Sequence, residues 1–321
     1  MKYSNQYLLF ILCFVSSITI SIAQSTLQKG KTAYESNKKA EAKKILATID
    51  DDKSDYAEAQ YILGRIAFDE QDYESAADFF EEASDTNPKN PDYHNWYGNA
   101  LGNIAKDANP LRQGMLAPKM KAAWEKAIEL DAKNMDARLS LIEYYTQAPS
   151  FMGGSYEKAH QMASQIKKID LAEGHRAAGN IYYREKKITE AEKEFIAMAK
   201  VDPKKISGLA SFYAQQKQYE KAFAIYEEEL KKDNSNMSVV YQLGRLSAVS
   251  GLKLEQGEMH LKKYLAYQPQ KNEPTHAGAY MRLGNIYEKK GNKAEAKQAY
   301  SLSLKLDPNT KEAKEGMERV K

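Results

Sequence analysis

Cysteine is all but missing from this chain, with one residue, Cys13, in 321. It falls inside the first apolar stretch, so the rest of the chain has no thiol for a disulfide, a cysteine-held metal or a lipid anchor. There is no large excess of either charge. Lys and Arg number 47 against 44 Asp and Glu, a net +3, and such a mixed surface leaves no footprint for a nucleic acid. Beyond residue 23 there is no apolar run long enough to cross a membrane. The five histidines, His94, His160, His175, His260 and His276, are scattered and form no H-E-x-x-H pair, so no metal site is expected. Ser155-Tyr156-Glu157-Lys158 fits an S-x-x-K nucleophile motif, but so do Ser36 to Lys39 and Ser164 to Lys167, and no K-T-G accompanies them. Gly153-Gly154 is not followed by the G-K-[ST] of a phosphate loop. No catalytic constellation and no cofactor site emerge, and an enzyme is not expected.

What is present begins with a leader. Lys2, an apolar stretch from Tyr7 to Ile22 and the small-residue exit Ser21-Ile22-Ala23 predict a secretory signal over 1–23, cleaved before Gln24. A lipoprotein signal needs a cysteine just past the cleavage point, where Gln24 stands. The expected location is periplasmic or secreted, with no integral membrane segment after cleavage.

The remainder is organised by a glycine that returns in constant company. Gly284 is preceded by Tyr280 and Leu283 and followed by Tyr287, Ala296, Tyr300 and Pro308. The same offsets give Ala76, Phe80, Ala83 and Pro88 after Gly64, and Tyr182, Ala191, Phe195 and Pro203 after Gly179. Further registers sit on Gly30, Gly98, Ala210 and Gly244, with a degenerate one on Ile142. A glycine inside a helix costs about 1 kcal/mol relative to alanine, so close approach of a second helix must offset it. Ala76, Ala191 and Ala296 are small enough to receive that helix, while Phe80, Phe195 and Tyr300 are expected to fill the space between one helix pair and the next. Pro88, Pro203 and Pro308 end the second helices.

This pattern resembles the tetratricopeptide repeat signature of aromatic, Leu-Gly, Tyr, Ala, Phe and Pro. The resemblance implies an all-α, right-handed superhelical solenoid of about eight helix hairpins, with units over 24–54, 55–90, 91–134, 135–171, 172–203, 204–236, 237–272 and 273–310. Residues 311–321, with Ala313, Met317 and Val320 on one face, predict a capping helix. The block from Tyr93 through Trp96-Tyr97-Gly98, Trp124-Glu125-Lys126-Ala127 and Ala137-Arg138 to Gly153-Gly154-Ser155 is also similar to a subgroup of exported bacterial tetratricopeptide proteins.

Two adjacent units break the spacing. The Gly98 unit carries extra residues within Asn103 to Lys119, including Pro110, Arg112, Gly114 and Pro118, and the next unit carries more over 147–155. Both are expected to emerge as loops on one edge. Leu111, Met115, Leu116, Phe151 and Met152 could merely pack together there. Alternatively the loops form a partner edge, with free backbone N–H groups at Gly153 and Gly154, Ser155 capping the next helix, and Arg112 or Lys119 supplying charge for an anion.

Tetratricopeptide arrays are similar in holding a peptide on the inner face lined by first helices. The corresponding positions here are Tyr61, Arg65, Asn95, Asn99, Arg176, Asn180, Arg184, Tyr241, Arg245, Met281 and Asn285. Arg176 and Asn180, four apart, share a helix face and could grip a carboxylate with its backbone. The following unit offers Ser207, Ser211 and Gln215 instead of further basic residues, which departs from the carboxylate-clamp pattern. The resulting expectation is a non-catalytic envelope scaffold with a protein or peptide partner. Two alternatives stand beside it: an architectural subunit docking through 103–119 and 147–155, and a glycan-binding accessory protein.

Overall fold

The computed structural model describes residues 25–321. The leader, its cleavage site and Cys13 lie outside the described residues. Every regular element described is helical: α1 (Thr26–Glu35), α2 (Lys39–Leu46), α3 (Tyr56–Asp69), α4 (Tyr73–Thr86), α5 (Pro91–Asp107), α6 (Pro110–Leu130), α7 (Met135–Gln147), α8 (Tyr156–Ile169), α9 (Leu171–Arg184), α10 (Ile188–Val201), α11 (Ile206–Gln215), α12 (Tyr219–Lys232), α13 (Met237–Ser250), α14 (Leu254–Leu265), α15 (His276–Lys289), α16 (Lys293–Leu306) and α17 (Lys311–Arg319). The chain packs as two compact units, one ending at Ala132 and the other running from Lys133 to Lys321.

Local chemistry sets the helix starts. Ser25, Asp72, Asn90, Asn109, Asn134, Ser155, Asp170, Asn236 and Thr275 each accept a backbone N–H of the first turn through the side chain. Each such cap satisfies a donor that the helix itself cannot, worth about 1 kcal/mol. Consecutive helices then pair. In the first unit α1 packs on α2, α3 on α4 and α5 on α6; in the second α7 packs on α8, and so on to α15 on α16, with α17 closing against α15 and α16.

The repeat glycines explain that pairing. A Cβ placed on Gly64 would stand 2.6 Å from the Phe80 ring, one on Gly98 2.6 Å from the Trp124 indole and one on Gly284 2.5 Å from the Tyr300 ring. In these three pairs the large side chain of the second helix therefore seats on the glycine of its own pair, and the repeat aromatics also reach the next pair as expected, Phe80 lying 5.9 Å from Trp96 and Phe195 4.9 Å from Phe212 between ring centroids. Phe80 and Tyr300 are fully buried there and Trp124 is 4% exposed. Tyr300 also meets Gly316 of α17, so the capping helix uses the same device.

One expectation is overturned. Residues 103–119 are not a loop: α5 runs on to Asp107, two residues intervene, and α6 starts at Pro110. Asn109 caps α6 and Pro110 occupies its first turn, where the missing N–H costs nothing. Pro118 lies within the helix and is exposed, while Ala117, Met120, Ala123, Trp124 and Ala127 bury the opposite face. The extra residues lengthen two helices instead of making a turn. Residues 147–155 do form a connection, with a short 3-10 turn at Ser150–Met152.

Candidate functional site

In the first unit α3 and α5 carry the predicted inner-face residues. Tyr61 is half-buried, its ring centroid 5.1 Å from that of Tyr93 and 5.9 Å from that of Phe80. Burial raises its phenol pKa against the opposing pull of Arg65, whose Nη1 donates to Tyr61 Oη at 3.0 Å. The Arg65 guanidinium carbon lies 3.8 Å from the Trp96 ring centroid. Asn99 spends its Oδ1 on the Trp124 indole N–H at 2.9 Å and its carbonyl on Asn103 Nδ2 at 2.9 Å. Asn95 is buried at 3% exposure, so it lines a helix contact more than an open surface.

Arg112 donates through Nη2 to both oxygens of Glu74, at 2.6 and 2.7 Å, which joins the start of α6 to α4 and neutralises the charge expected for an anion site. Lys119 is exposed on α6. Leu111 and Met115, one turn apart on that helix, are 77% and 67% exposed and do not pack into a wedge.

The second unit holds the other candidates. On α9, Ala172, Ala177, Ala178, Gly179 and Ile181 are buried, while Asn180 and Arg184 are exposed and Arg176 is half-buried. Arg176 pairs with Glu173, and Lys205 Nζ reaches the same carboxylate at 3.2 Å. The Arg176 hydrogen bonds, foremost, hold the Glu173 carboxyl below its usual range despite its burial. Arg176 thus enters the stripe as half of an ion pair and not as a bare cation. Tyr241 is buried at 8% exposure against Tyr264, ring centroids 5.1 Å apart, and Met281 is buried at 4%. Neither reaches the surface that the register assigns to it. Arg245 Nη1 donates to Gln242 Oε1 at 3.1 Å.

Asn285 belongs to a network that sequence spacing does not reveal. Tyr300 Oη lies 2.6 Å from Asn285 Oδ1 and 2.7 Å from Glu288 Oε2, and Arg319 of α17 donates to Glu288 at 2.7 and 3.0 Å. The Arg319 hydrogen bonds, before any other cause, hold the Glu288 carboxyl below its ordinary value. Beside it is a pocket of about 420 Å³ lined by Ala248, Asn285, Glu288, Lys289 and Arg319. Of these only Asn285 is marked by the inner-face register. Glu288, one turn further along α15, carries the only hint, and the contribution of α17 depends on tertiary packing.

The connection at 147–155 contradicts the expected anion nest. Gly153 N–H donates to the Ser150 carbonyl at 3.0 Å, Gly154 N–H to the Pro149 carbonyl at 3.1 Å and Ser155 N–H to the Tyr145 carbonyl at 2.8 Å. The turn has consumed its own donors. Gly153 has φ +96°, and a Cβ on Gly154 would stand 1.8 Å from the Ala148 carbonyl oxygen, so both glycines serve the turn. The Met152 carbonyl accepts from Tyr144 Oη, and Ser155 caps α8 at 3.2 Å, as its position predicts. Phe151 stands out at 83% exposure.

Among the described residues no group of three His, Cys, Asp or Glu side chains could hold a metal, and no helix is long and apolar enough to cross a membrane. His160 and His175 each lie against a single carboxylate, Glu185 at 2.7 Å and Glu194 at 2.6 Å.

Comparison with known proteins gives a consistent picture. Residues 27–91, 206–238 and 277–310 match family models described as tetratricopeptide repeat. A tetratricopeptide repeat protein from Parabacteroides merdae superposes with a TM-score of 0.51 at 18% identity, covering 82% of this chain and 98% of that one. The C-terminal part of a repeat-containing protein from Cytophaga hutchinsonii gives 0.47 at 17% identity, covering 91% and 99%. No curated protein matches the chain.

Proposed function

This chain is a tetratricopeptide repeat protein, and from that premise we propose that it is a non-catalytic scaffold holding an extended peptide or protein segment along its first-helix faces. Arrays of this kind serve protein–protein interaction, and a preformed helical surface loses little entropy in ordering itself when a peptide docks. The observation that carries the reading is on α9, where Asn180 and Arg184 lie open to solvent opposite a stripe of buried alanine, glycine and isoleucine. A polar row with hydrogen-bonding capacity and a rigid backing suits backbone amides better than it suits a small metabolite.

We further propose that this activity lies in the periplasm or outside the cell; Lys2, the apolar stretch to Ile22 and the small-residue exit at Ala23 support a leader over 1–23. Sequencing the amino terminus of protein purified from its native cell tests this. A mature chain beginning at Gln24 supports export, and an intact Met1 or Lys2 terminus in the cytosol refutes it.

A second reading is docking through exposed apolar side chains on α6 or on the connection after α7. Leu111 and Met115 on α6 and Phe151 after α7 each expose most of a large apolar side chain. Pull-downs from envelope extract separate the two. Loss of captured partner in an Arg176→Ala/Asn180→Ala chain supports the inner face, whereas loss only in a Leu111→Ser/Met115→Ser or Phe151→Ser chain supports docking through those exposed apolar side chains.

A further inference from the structure

The outer face of α6 is apolar where that of α4 is acidic. On α4 the residues turned away from the core are Glu74, Asp78, Glu81, Glu82 and Asp85, all exposed, and no basic residue stands between Tyr73 and Thr86. At the same helical spacing α6 exposes Leu111, Met115, Pro118, Lys119 and Ala122, opposite the buried Ala117, Met120, Ala123 and Trp124. The apolar row ends there, since Glu125 and Glu129 take the exposed positions further along the helix. The repeat does not require such a row. α6 has 21 residues against 14 in α4, and the surplus precedes Ala117, where its fully buried face begins. That surplus is nonetheless held firmly: Gln113 Nε2 donates to the Ala105 carbonyl at 2.9 Å, and Arg112 grips Glu74. Leu111 and Met115 are therefore presented on a fixed helix.

Charge selects what can cover the row. From Ala108 to Trp124 the chain has the cations Arg112, Lys119 and Lys121 and no acid. Arg112 is spent on Glu74 and Lys121 lies 3.5 Å from Glu125, whereas neither Lys119 nor, on α4, Asp78 makes an ion pair among the described residues. An anionic membrane suits the cations but not the carboxylates of α4, which start at Glu74 beside Arg112 and would repel it. A second copy of the chain suits both. If two α6 helices cross antiparallel about a two-fold axis between Leu116 and Ala117, Leu111 of each faces Ala122 of the other and Met115 faces Pro118. Large side chains then meet small ones along the whole row, and the contact is self-complementary. Arg112 and Lys119, two turns apart, share the flank of α6 that is turned to α4. The two-fold rotation sets that flank against the same flank of the other copy, so each Lys119 arrives beside an Arg112 already neutralised by Glu74, with Asp78 one turn along α4.

We propose that α6 pairs antiparallel with α6 of a second copy, covering Leu111, Met115, Pro118 and Ala122 on both, with Lys119 of each copy set against Asp78 of the other. This rests on the second reading above, which it deepens for α6, and leaves the first-helix reading untouched. The row from Leu111 to Ala122 is about 17 Å long. Its area falls short of the roughly 1,200 Å² at which standard interfaces begin, so the dimer is weak and reversible.

Sedimentation velocity of the chain, purified after processing by its own cell and taken from low micromolar to several hundred micromolar, is expected to show a monomer–dimer equilibrium. Leu111→Ser/Met115→Ser weakens it about ten-fold or more, as loss of central apolar anchors does. Lys119→Glu and Asp78→Lys each weaken it when alone, by setting like charges together. An equimolar mixture of those two chains dimerises as the unaltered chain does, because both contacts then join opposite charges. Poor folding of either variant cannot produce that recovery. A chain that stays monomeric throughout, a dimer indifferent to these substitutions, or a mixture that does not recover overturns the proposal. Vesicles of phosphatidylglycerol and phosphatidylethanolamine added to the dilute chain separate this failure from that of the reading beneath it. A monomer that binds them through Leu111 and Met115 overturns the dimer and upholds docking through α6. If the serine pair alters neither self-association, vesicle binding nor the pull-down from envelope extract, both fall.

Discussion

Alanine at Gly98 and alanine at Gly102 address the same tryptophan one helical turn apart, and they should move stability in opposite directions. A methyl group on Gly98 would sit 2.6 Å from Trp124 Nε1 and 2.8 Å from Cδ1, inside any tolerable contact. The indole cannot yield easily, since it is 4% exposed and its N–H donates to Asn99 Oδ1 at 2.9 Å. Overpacking costs about 1–3 kcal/mol and displacement of the indole forfeits about 1 kcal/mol of hydrogen bonding, against about 1 kcal/mol gained in helix propensity. The expected net loss for Gly98→Ala is about 1–3 kcal/mol. On Gly102 the methyl group would meet Trp124 at 3.6 Å, ordinary van der Waals distance, so Gly102→Ala keeps the propensity gain of about 0.5–1 kcal/mol. Both tryptophans lie in the first unit, so urea unfolding followed by their fluorescence reads that unit selectively. The midpoints should separate with unchanged slopes. If Gly98→Ala stabilises as much as Gly102→Ala, glycine is not there to admit the large side chain of the second helix, and the packing rule argued for the glycine-bearing pairs fails.

The closing network gives a second prediction. Tyr300→Phe removes a hydroxyl shared by Asn285 and Glu288 under a fully buried ring and should lower the stability of the second unit by about 1–2 kcal/mol, read by thermal circular dichroism. Acid should act through Glu258, whose carboxyl is held at about 2 by Lys262 first, then by Lys290 and Tyr287, at 2.7, 2.8 and 3.1 Å. A carboxyl depressed in the folded state stabilises above its unfolded value, 4.5, and loses that contribution as pH falls toward about 2, so Glu258→Gln should flatten the decline of melting temperature within that window. A decline of the same steepness in the variant would assign the acid response to other groups. Met115→Lys exchanges an exposed side chain and should leave stability within about 0.5 kcal/mol; a larger loss would show that Met115 packs in solution.

The repeating framework was readable because it depends on local periodicity. Gly64 with Phe80, Gly179 with Phe195 and Gly284 with Tyr300 keep one spacing, and each aromatic meets its glycine in the fold. Gly98 meets Trp124 in the same way although ten more residues separate them, since α5 and α6 absorb the excess as helical turns. That outcome was hidden by Pro110, Gly114 and Pro118, which signal a turn until Asn109 is seen capping the helix and the face from Ala117 to Ala127 is seen buried. Gly153 and Gly154 misled for the opposite reason: the turn they permit uses up the N–H groups that looked available. On the inner face, register gives the direction of a side chain but not its company. It placed Asn180 and Arg184 in solvent, yet could not foresee Tyr241 buried against Tyr264, Arg176 bound to Glu173, or Arg319 arriving from the last helix to meet Glu288.

The central claim is that partners are held on first-helix faces. A photo-crosslinking residue introduced at Asn180 or Arg184 of α9 in living cells, compared with Lys193 on the exposed side of α10, tests it most directly. A discrete protein adduct from Asn180 and Arg184, with none from Lys193, is the result predicted. Adducts from Lys193 alone, or none from α9 under conditions where the protein is folded and abundant, would contradict the account.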